Sequence, residues 1–128
     1  MKIEHIAIWT KDLEKMREFY LEFFDLRSNE KYHNPGKAFS SYFLAFNNGA
    51  RIELMHKPDI AELIVKSDLK LGLTHFAISV GSKENVDLLT EKIREKGYEI
   101  IGEPRTTGDG YYESVISDPE GNAIEITV

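Results

Sequence analysis

The sequence predicts an α+β fold built from two tandem β-α-β-β-β modules that form a curved mixed sheet with helices on its outer face. Three observations carry this expectation. His5-Ile6-Ala7-Ile8 recurs as His75-Phe76-Ala77-Ile78, and Gly49-Ala50-Arg51-Ile52-Glu53-Leu54 recurs as Gly121-Asn122-Ala123-Ile124-Glu125-Ile126. The His-to-Glu separation is 48 positions in the first half and 50 in the second. Two short matches in one order at nearly one spacing mark a duplication, and two copies are too few for a solenoid. The expected organisation is one domain made of module 1–57, linker 58–71 and module 72–128.

The elements follow in order. Ile3 to Trp9 alternates and is rich in β-branched residues, which predicts a strand. Asp12 caps a helix over Leu13 to Phe24, with Leu13, Met16, Tyr20 and Phe23 on one stripe. The aromatic cluster Phe19, Tyr20, Phe23 and Phe24 reads as packing against a sheet. Asn34-Pro35-Gly36 breaks the chain. Ser41 to Phe46 and Arg51 to Met55 are then strands joined through Asn47-Asn48-Gly49. The linker is expected to hold a short helix around Ile60 to Val65. In the second half Thr74 to Val80 is a strand, and Ser82 caps a helix running to Lys96. Its stripe is Val86, Leu89 and Ile93, its charged end from Lys92 to Lys96 faces solvent, and Gly97 suits a left-handed stop. Tyr98 to Ile101, Tyr112 to Ser117 and Ala123 to Val128 complete the module as strands, with Asp118-Pro119-Glu120-Gly121-Asn122 as the last turn.

Composition bounds the chemistry. The 128 residues are enough for an apolar core without disulfide or metal staples. The chain has no cysteine, which excludes a disulfide framework, a thiolate zinc finger, a cysteine nucleophile and a CxxC redox pair. A formal net charge of -6 argues against a nucleic-acid partner. No run is long and apolar enough to predict a membrane span, so a cytoplasmic protein with a small-molecule partner is expected.

Strand alternation places four polar residues together. His5 shares a face with Ala7 and Trp9, opposite Ile6 and Ile8; His75 shares one with Ala77 and Ser79. Glu53 lies between Ile52 and Leu54, and Glu125 between Ile124 and Ile126. A single strand Glu or His reads as a solvated or structural residue; the same pair in both halves reads as a site. A mid-strand carboxylate on a dry face is costly without a partner. Two neutral imidazoles and two carboxylates balance a divalent cation, and these donors suit Ni²⁺ or Zn²⁺, or alternatively Mn²⁺, Co²⁺ or Fe²⁺. Such a centre acts as a Lewis acid while a carboxylate moves a proton. His56, three positions from Glu53, points to the other face and has no expected metal role; His33 is expected in an exposed loop. Arg105 to Tyr112 is Gly-containing and reads either as a mobile lid, with Arg105 on a substrate carboxylate or phosphate, or as a plain polar loop.

With these residues, the chain resembles the vicinal oxygen chelate superfamily, also called the glyoxalase/bleomycin-resistance/extradiol-dioxygenase group. The markers are His5, Phe19-Tyr20, Glu53, His75 and the terminal Asp118-Pro119-Glu120-Gly121-Asn122-Ala123-Ile124-Glu125. The order His, Glu, His, Glu is similar to that of glyoxalase I, which isomerises the hemithioacetal of methylglyoxal and glutathione to S-lactoylglutathione. The resemblance implies that His5, Glu53, His75 and Glu125 hold the metal. Glu125, with Glu53 as partner, would move the proton through an enediolate. It also implies a homodimer, in which each site can draw on two chains. Two departures concern the thiol: Trp9 stands where bacterial glyoxalase I typically has Arg, and Lys57 where it typically has Asn. Trp9, Lys57 and Arg105 are the substrate-binding candidates. Other readings are a metal-dependent thioester epimerase or thiol transferase, and a small-molecule-binding module without turnover.

Overall fold

The computed structural model describes residues 1–61 and 71–128. It comprises two compact units, Met1–Leu63 and Ile64–Val128. Each carries one α-helix and its own mixed sheet, the α+β arrangement of two modules that the repeat predicts.

In the first unit the order is β1 (His5–Trp9), α1 (Leu13–Phe23), β2 (Arg27–Ser28), β3 (Tyr32–Asn34), a 3₁₀ turn (Pro35–Lys37), β4 (Phe39–Ala45) and β5 (Arg51–His56). The sheet runs β1-β5-β4-β2, and β3 also pairs with β4. β1 and β5 are parallel; the other pairs are antiparallel. The Asp12 carboxylate caps α1 by accepting from the Lys15 amide at 3.0 Å. Leu13, Met16, Phe19, Tyr20 and Phe23 are buried along α1. Opposite them, Ile52 and Leu54 of β5 and Leu44 of β4 are at most 2% exposed, so the core lies between helix and sheet. β2 and β3 lie along one edge of β4 as an interrupted strand. Between them the Asn29 side chain accepts from the Phe43 amide at 2.7 Å, which keeps that edge closed. His33 therefore lies on a short strand rather than in a loop, with Nδ1 2.9 Å from the Ser40 hydroxyl.

In the second unit β6 (Phe76–Ser79) leads into α2 (Lys83–Glu95), followed by β7 (Ile100–Thr106), β8 (Tyr112–Ser117) and β9 (Ala123–Thr127). The sheet order is β6-β9-β8-β7, with β6 parallel to β9. Ser82 caps α2 through the Asn85 amide at 3.2 Å. Gly97 follows the helix at φ +84°, the left-handed backbone that a residue without Cβ adopts freely. The fully buried stripe of α2 is Val86, Thr90 and Ile93, facing Ile116, Ile124 and Ile126. Leu89, expected on the stripe, is half-buried. Thr90 replaces it because its hydroxyl is matched across the layer by Ser114 at 2.7 Å.

The strand expected at Tyr98 to Ile101 is shifted and longer, running to Thr106. Arg105 is therefore a strand residue. The segment after it is a tight turn, closed by Thr107 N–H to Tyr111 O at 2.8 Å and Gly110 N–H to Thr107 O at 3.0 Å, which favours the plain-loop reading over a lid. The linker helix expected around Ile60 to Val65 lies outside the described residues apart from Ile60 and Ala61, which are not helical. Among the described residues, no helix is long and apolar enough to cross a membrane.

Candidate functional site

The two modules present the same pair in the same register. Ala7 of β1 pairs with Glu53 of β5, and Ala77 of β6 pairs with Glu125 of β9. His5 and His75 each precede that alanine by two positions, so each imidazole shares the face of its glutamate. His5 Nε2 lies 3.8 Å from the Glu53 carboxylate, and His75 Nε2 lies 3.4 Å from that of Glu125. In both pairs the imidazole is the more exposed partner: the side chains are 39% and 16% exposed in the first and 44% and 17% in the second.

The first imidazole is fixed from behind. His5 Nδ1 lies 2.5 Å from the Glu4 carboxylate, which is also bonded by Arg51. The His5 contact, and after it the Arg51 guanidinium, holds the Glu4 carboxyl below its ordinary value. This leaves Nε2 as the nitrogen directed at Glu53. A carboxylate behind one nitrogen and a free second nitrogen is the arrangement by which proteins orient metal-binding histidines. Glu4 carries no signal in strand alternation, which puts it on the face opposite His5; its place beside a candidate ligand is the available signal.

The second pair has a different surrounding. Glu125 has its carboxyl pushed up, first by burial and then by the nearby negative charge of Glu113, while His75 and Arg105 pull the other way. Glu113 on β8 lies opposite Thr127, one pleat along from Glu125, and is 8% exposed. Its carboxylate accepts from Arg105 Nη2 at 3.2 Å. Glu113 was not singled out in the sequence because strand alternation makes a Glu after Tyr112 look solvated. The turn before β9 explains the terminal motif: Asp118 is 3% exposed and accepts from the Glu120 and Asn122 amides at 3.0 and 2.9 Å. It fixes the chain direction just before Glu125.

Trp9 and Lys57 come together. With Asp59, Ile60 and Ala61 they line a shallow hollow of about 290 Å³ in the first unit. Trp9 is 48% exposed and packs edge-on against Phe39, with ring centres 6.2 Å apart. Arg105 belongs to the other unit, where it pairs with Glu113. His56 lies outside the site, with its Nδ1 2.9 Å from the Thr10 carbonyl at the end of β1.

The donor types and the spacing within each pair fit a divalent cation. Ligand atoms about 2.1 Å from a metal stand roughly 3.0 to 3.4 Å apart for octahedral or tetrahedral neighbours. The two pairs are at or slightly above that range. Among the described residues, no group of three or more His, Asp or Glu side chains is arranged to hold a cation, so the structure supports two pairs rather than a complete centre.

Comparison with known proteins agrees with the duplicated fold. A lactoylglutathione lyase of Arabidopsis thaliana is 29% identical over 126 residues, 95% of this chain and 42% of that protein. An uncharacterised Bacillus subtilis protein is 27% identical over 97% of this chain and 96% of its own length. Glyoxalase I of Zea mays superposes with a TM-score of 0.81 at 25% identity, over 98% of this chain and 44% of that one. The chain thus spans under half the length of the plant enzymes it resembles. The family model for the Glyoxalase/Bleomycin resistance protein/Dioxygenase superfamily runs from residue 2 to residue 126, through both His–Glu pairs, and the chain belongs to that superfamily.

Proposed function

We propose that the protein is a glyoxalase I-like lyase that isomerises the hemithioacetal of an α-ketoaldehyde such as methylglyoxal. In this reading His5, Glu53, His75 and Glu125 hold a divalent metal, with Ni²⁺ or Zn²⁺ the expected ions. The observation that carries it is the register-matched repetition of one His–Glu pair on two parallel strand pairs. Membership of the superfamily and the 29% identity to a lactoylglutathione lyase support the reaction class.

When bound, the metal supplies Lewis-acid stabilisation of negative charge on a substrate oxygen. The chain's own residues do the rest. Glu125 accepts the proton from the carbon beside the carbonyl and returns it to the adjacent carbon, with Glu53 as its partner. Burial, which raises the Glu125 carboxyl above its ordinary value, supports its role as the base. Glu4 keeps His5 oriented. Trp9 and Lys57 receive the thiol portion of the substrate: the indole gives an apolar wall and the ammonium meets an anionic group. Arg105, half-exposed beyond Glu113, is the candidate for a substrate carboxylate in the second unit. A cytoplasmic homodimer completes the proposal.

The hollow containing Trp9 and Lys57 favours a second reading, in which the same metal chemistry serves a thiol other than glutathione. The test is metal analysis of the purified protein, followed by turnover of the hemithioacetals of glutathione and bacillithiol with Ni²⁺ and then Zn²⁺. Turnover of either substrate, lost together with bound metal in His5→Ala/His75→Ala, supports the lyase. Bound metal with no turnover of either points to another superfamily reaction, such as thioester epimerisation or thiol transfer. No bound metal points to a binding module.

A further inference from the structure

The polar row across the second sheet contains a charge arrangement that the duplication does not explain. β7, β8 and β9 place Arg105 opposite Glu113, and Glu113 one pleat from Glu125. In the first unit the register equivalents of Arg105 and Glu113 are Tyr32 and Ser41, which pair on β3 and β4. The second module alone therefore sets a cation and a buried carboxylate beside its candidate ligand.

The backbone is shaped to permit this. β7 is irregular on both sides of Gly102, with register shifts between Ile100 and Gly102 and between Gly102 and Arg105. A Cβ at Gly102 would lie 3.0 Å from Arg105 Nη1, so the guanidinium folds back over the bare glycine to reach Glu113. Arg105 lies across from Glu113, one pleat along from Glu125, and its positive charge favours the ionised Glu125 carboxylate. A free guanidinium there would be a direct competitor for the carboxylate that the metal needs, because Arg pairs with carboxylates through two parallel N–H donors.

We infer that Glu113 is a positioning residue that anchors Arg105 and so keeps the Glu125 carboxylate free for a divalent cation. The inference rests on the cation-binding role proposed for Glu125. Glu113 touches neither the metal nor the substrate in this scheme; it acts through Arg105.

Nickel affinity, measured by calorimetry without substrate, tests it, with thermal melting of each metal-free variant as the check on folding. Glu113→Ala releases Arg105 onto Glu125, and affinity should fall by about 10- to 100-fold, the usual range for outer-shell partners. Glu113→Gln loses the same charge but keeps an oxygen that accepts from Arg105, so its loss should be clearly smaller. Removing the competitor in Glu113→Ala/Arg105→Ala should recover most of the affinity. Arg105→Ala alone should bind nickel at least as tightly as the wild type, a result that does not depend on Glu113→Ala folding. The inference is overturned if Glu113→Ala matches a nickel-binding wild type, if Glu113→Gln falls as far as Glu113→Ala, or if Arg105→Ala binds more weakly. A wild type that takes up no nickel overturns it too, together with the functional reading on which it stands.

Discussion

Thr90→Val replaces a buried hydroxyl by a methyl of nearly equal size, and hydrogen-bond geometry sets its cost. Thr90 and Ser114 are both fully buried between α2 and β8. The single Thr90 hydroxyl proton is committed to the Val86 carbonyl at 2.6 Å, one helical turn back. The 2.7 Å contact with Ser114 must then run from the serine hydroxyl to the threonine oxygen. Valine at 90 therefore strands the Ser114 donor, while the Val86 carbonyl keeps its ordinary helical N–H. An unsatisfied buried donor costs about 1–3 kcal/mol, and the lost neutral bond lies within that figure. Ser114→Ala removes the donor and leaves Thr90 still bonded to Val86, so its cost should be smaller, about 0.5–1.5 kcal/mol. The double variant should cost less than the two single changes together, because no hydroxyl is left without a partner. Urea unfolding of the four proteins, compared at equal m-value, reads the cycle. Strict additivity, or a Ser114→Ala variant less stable than Thr90→Val, would refute the assigned donor direction.

Three further outcomes follow from the structure. Met16 of α1 is fully buried, and Met16→Ala should destabilise by about 2–5 kcal/mol in chemical unfolding, since the removed volume leaves a cavity. Glu14 accepts from Lys31 at 2.8 Å and from the Tyr42 hydroxyl at 3.1 Å, and Lys31 foremost holds its carboxyl below the ordinary value. A depressed carboxyl stabilises the fold above its unfolded pKa and loses that contribution as pH falls through the folded one. Glu14→Gln should therefore lower the unfolding free energy measured in urea at pH 7 but not at pH 2–3, by at most about 1 kcal/mol because the pair is half-exposed. In the lyase reading, Glu125→Gln should cut hemithioacetal turnover by about 10²- to 10⁴-fold with protein still folded; turnover within threefold of wild type would remove Glu125 from the role of base.

Both helices were readable because each has a capping side chain and an apolar stripe, and the central strands because β-branched residues alternate there. The edge strands were not. Arg27-Ser28 and Tyr32–Asn34 have no alternating pattern of their own and become strands only because β4 offers free backbone groups. β7 was misplaced for a related reason. Pro104 has no N–H for a ladder, and the strand continues past it only through irregular pairing between Gly102 and Arg105. Of the site, both His–Glu pairs were legible, because repetition and strand period together put each imidazole on the face of its carboxylate. Glu113 was not. It pairs with Arg105, which belongs to a loop when the strand is expected to end at Ile101.

The duplication conserves one thing and varies another. The parallel pairs β1/β5 and β6/β9 place His and Glu identically, since that geometry follows from backbone register alone. The next strand out differs in chemistry. On β4, Phe43 lies opposite Glu53 and edge-on to His5 at 5.5 Å between ring centres, and Phe39 packs between Trp9 and Tyr32. On β8, Val115 takes the place of Phe43, and Glu113 with Arg105 takes that of Ser41 with Tyr32. One half thus offers an aromatic surface beside its carboxylate and the other a buried carboxylate paired with a half-exposed guanidinium. Burial and the Glu113 charge raise the proton affinity of Glu125, whereas the position matching Glu113 in the first half is the uncharged Ser41. Two glutamates that the repeat makes equivalent by position are therefore made unequal by their neighbours. In the proposed lyase reading, that inequality favours Glu125 as the base and the module that carries Glu53 as the receiver of the apolar part of a substrate.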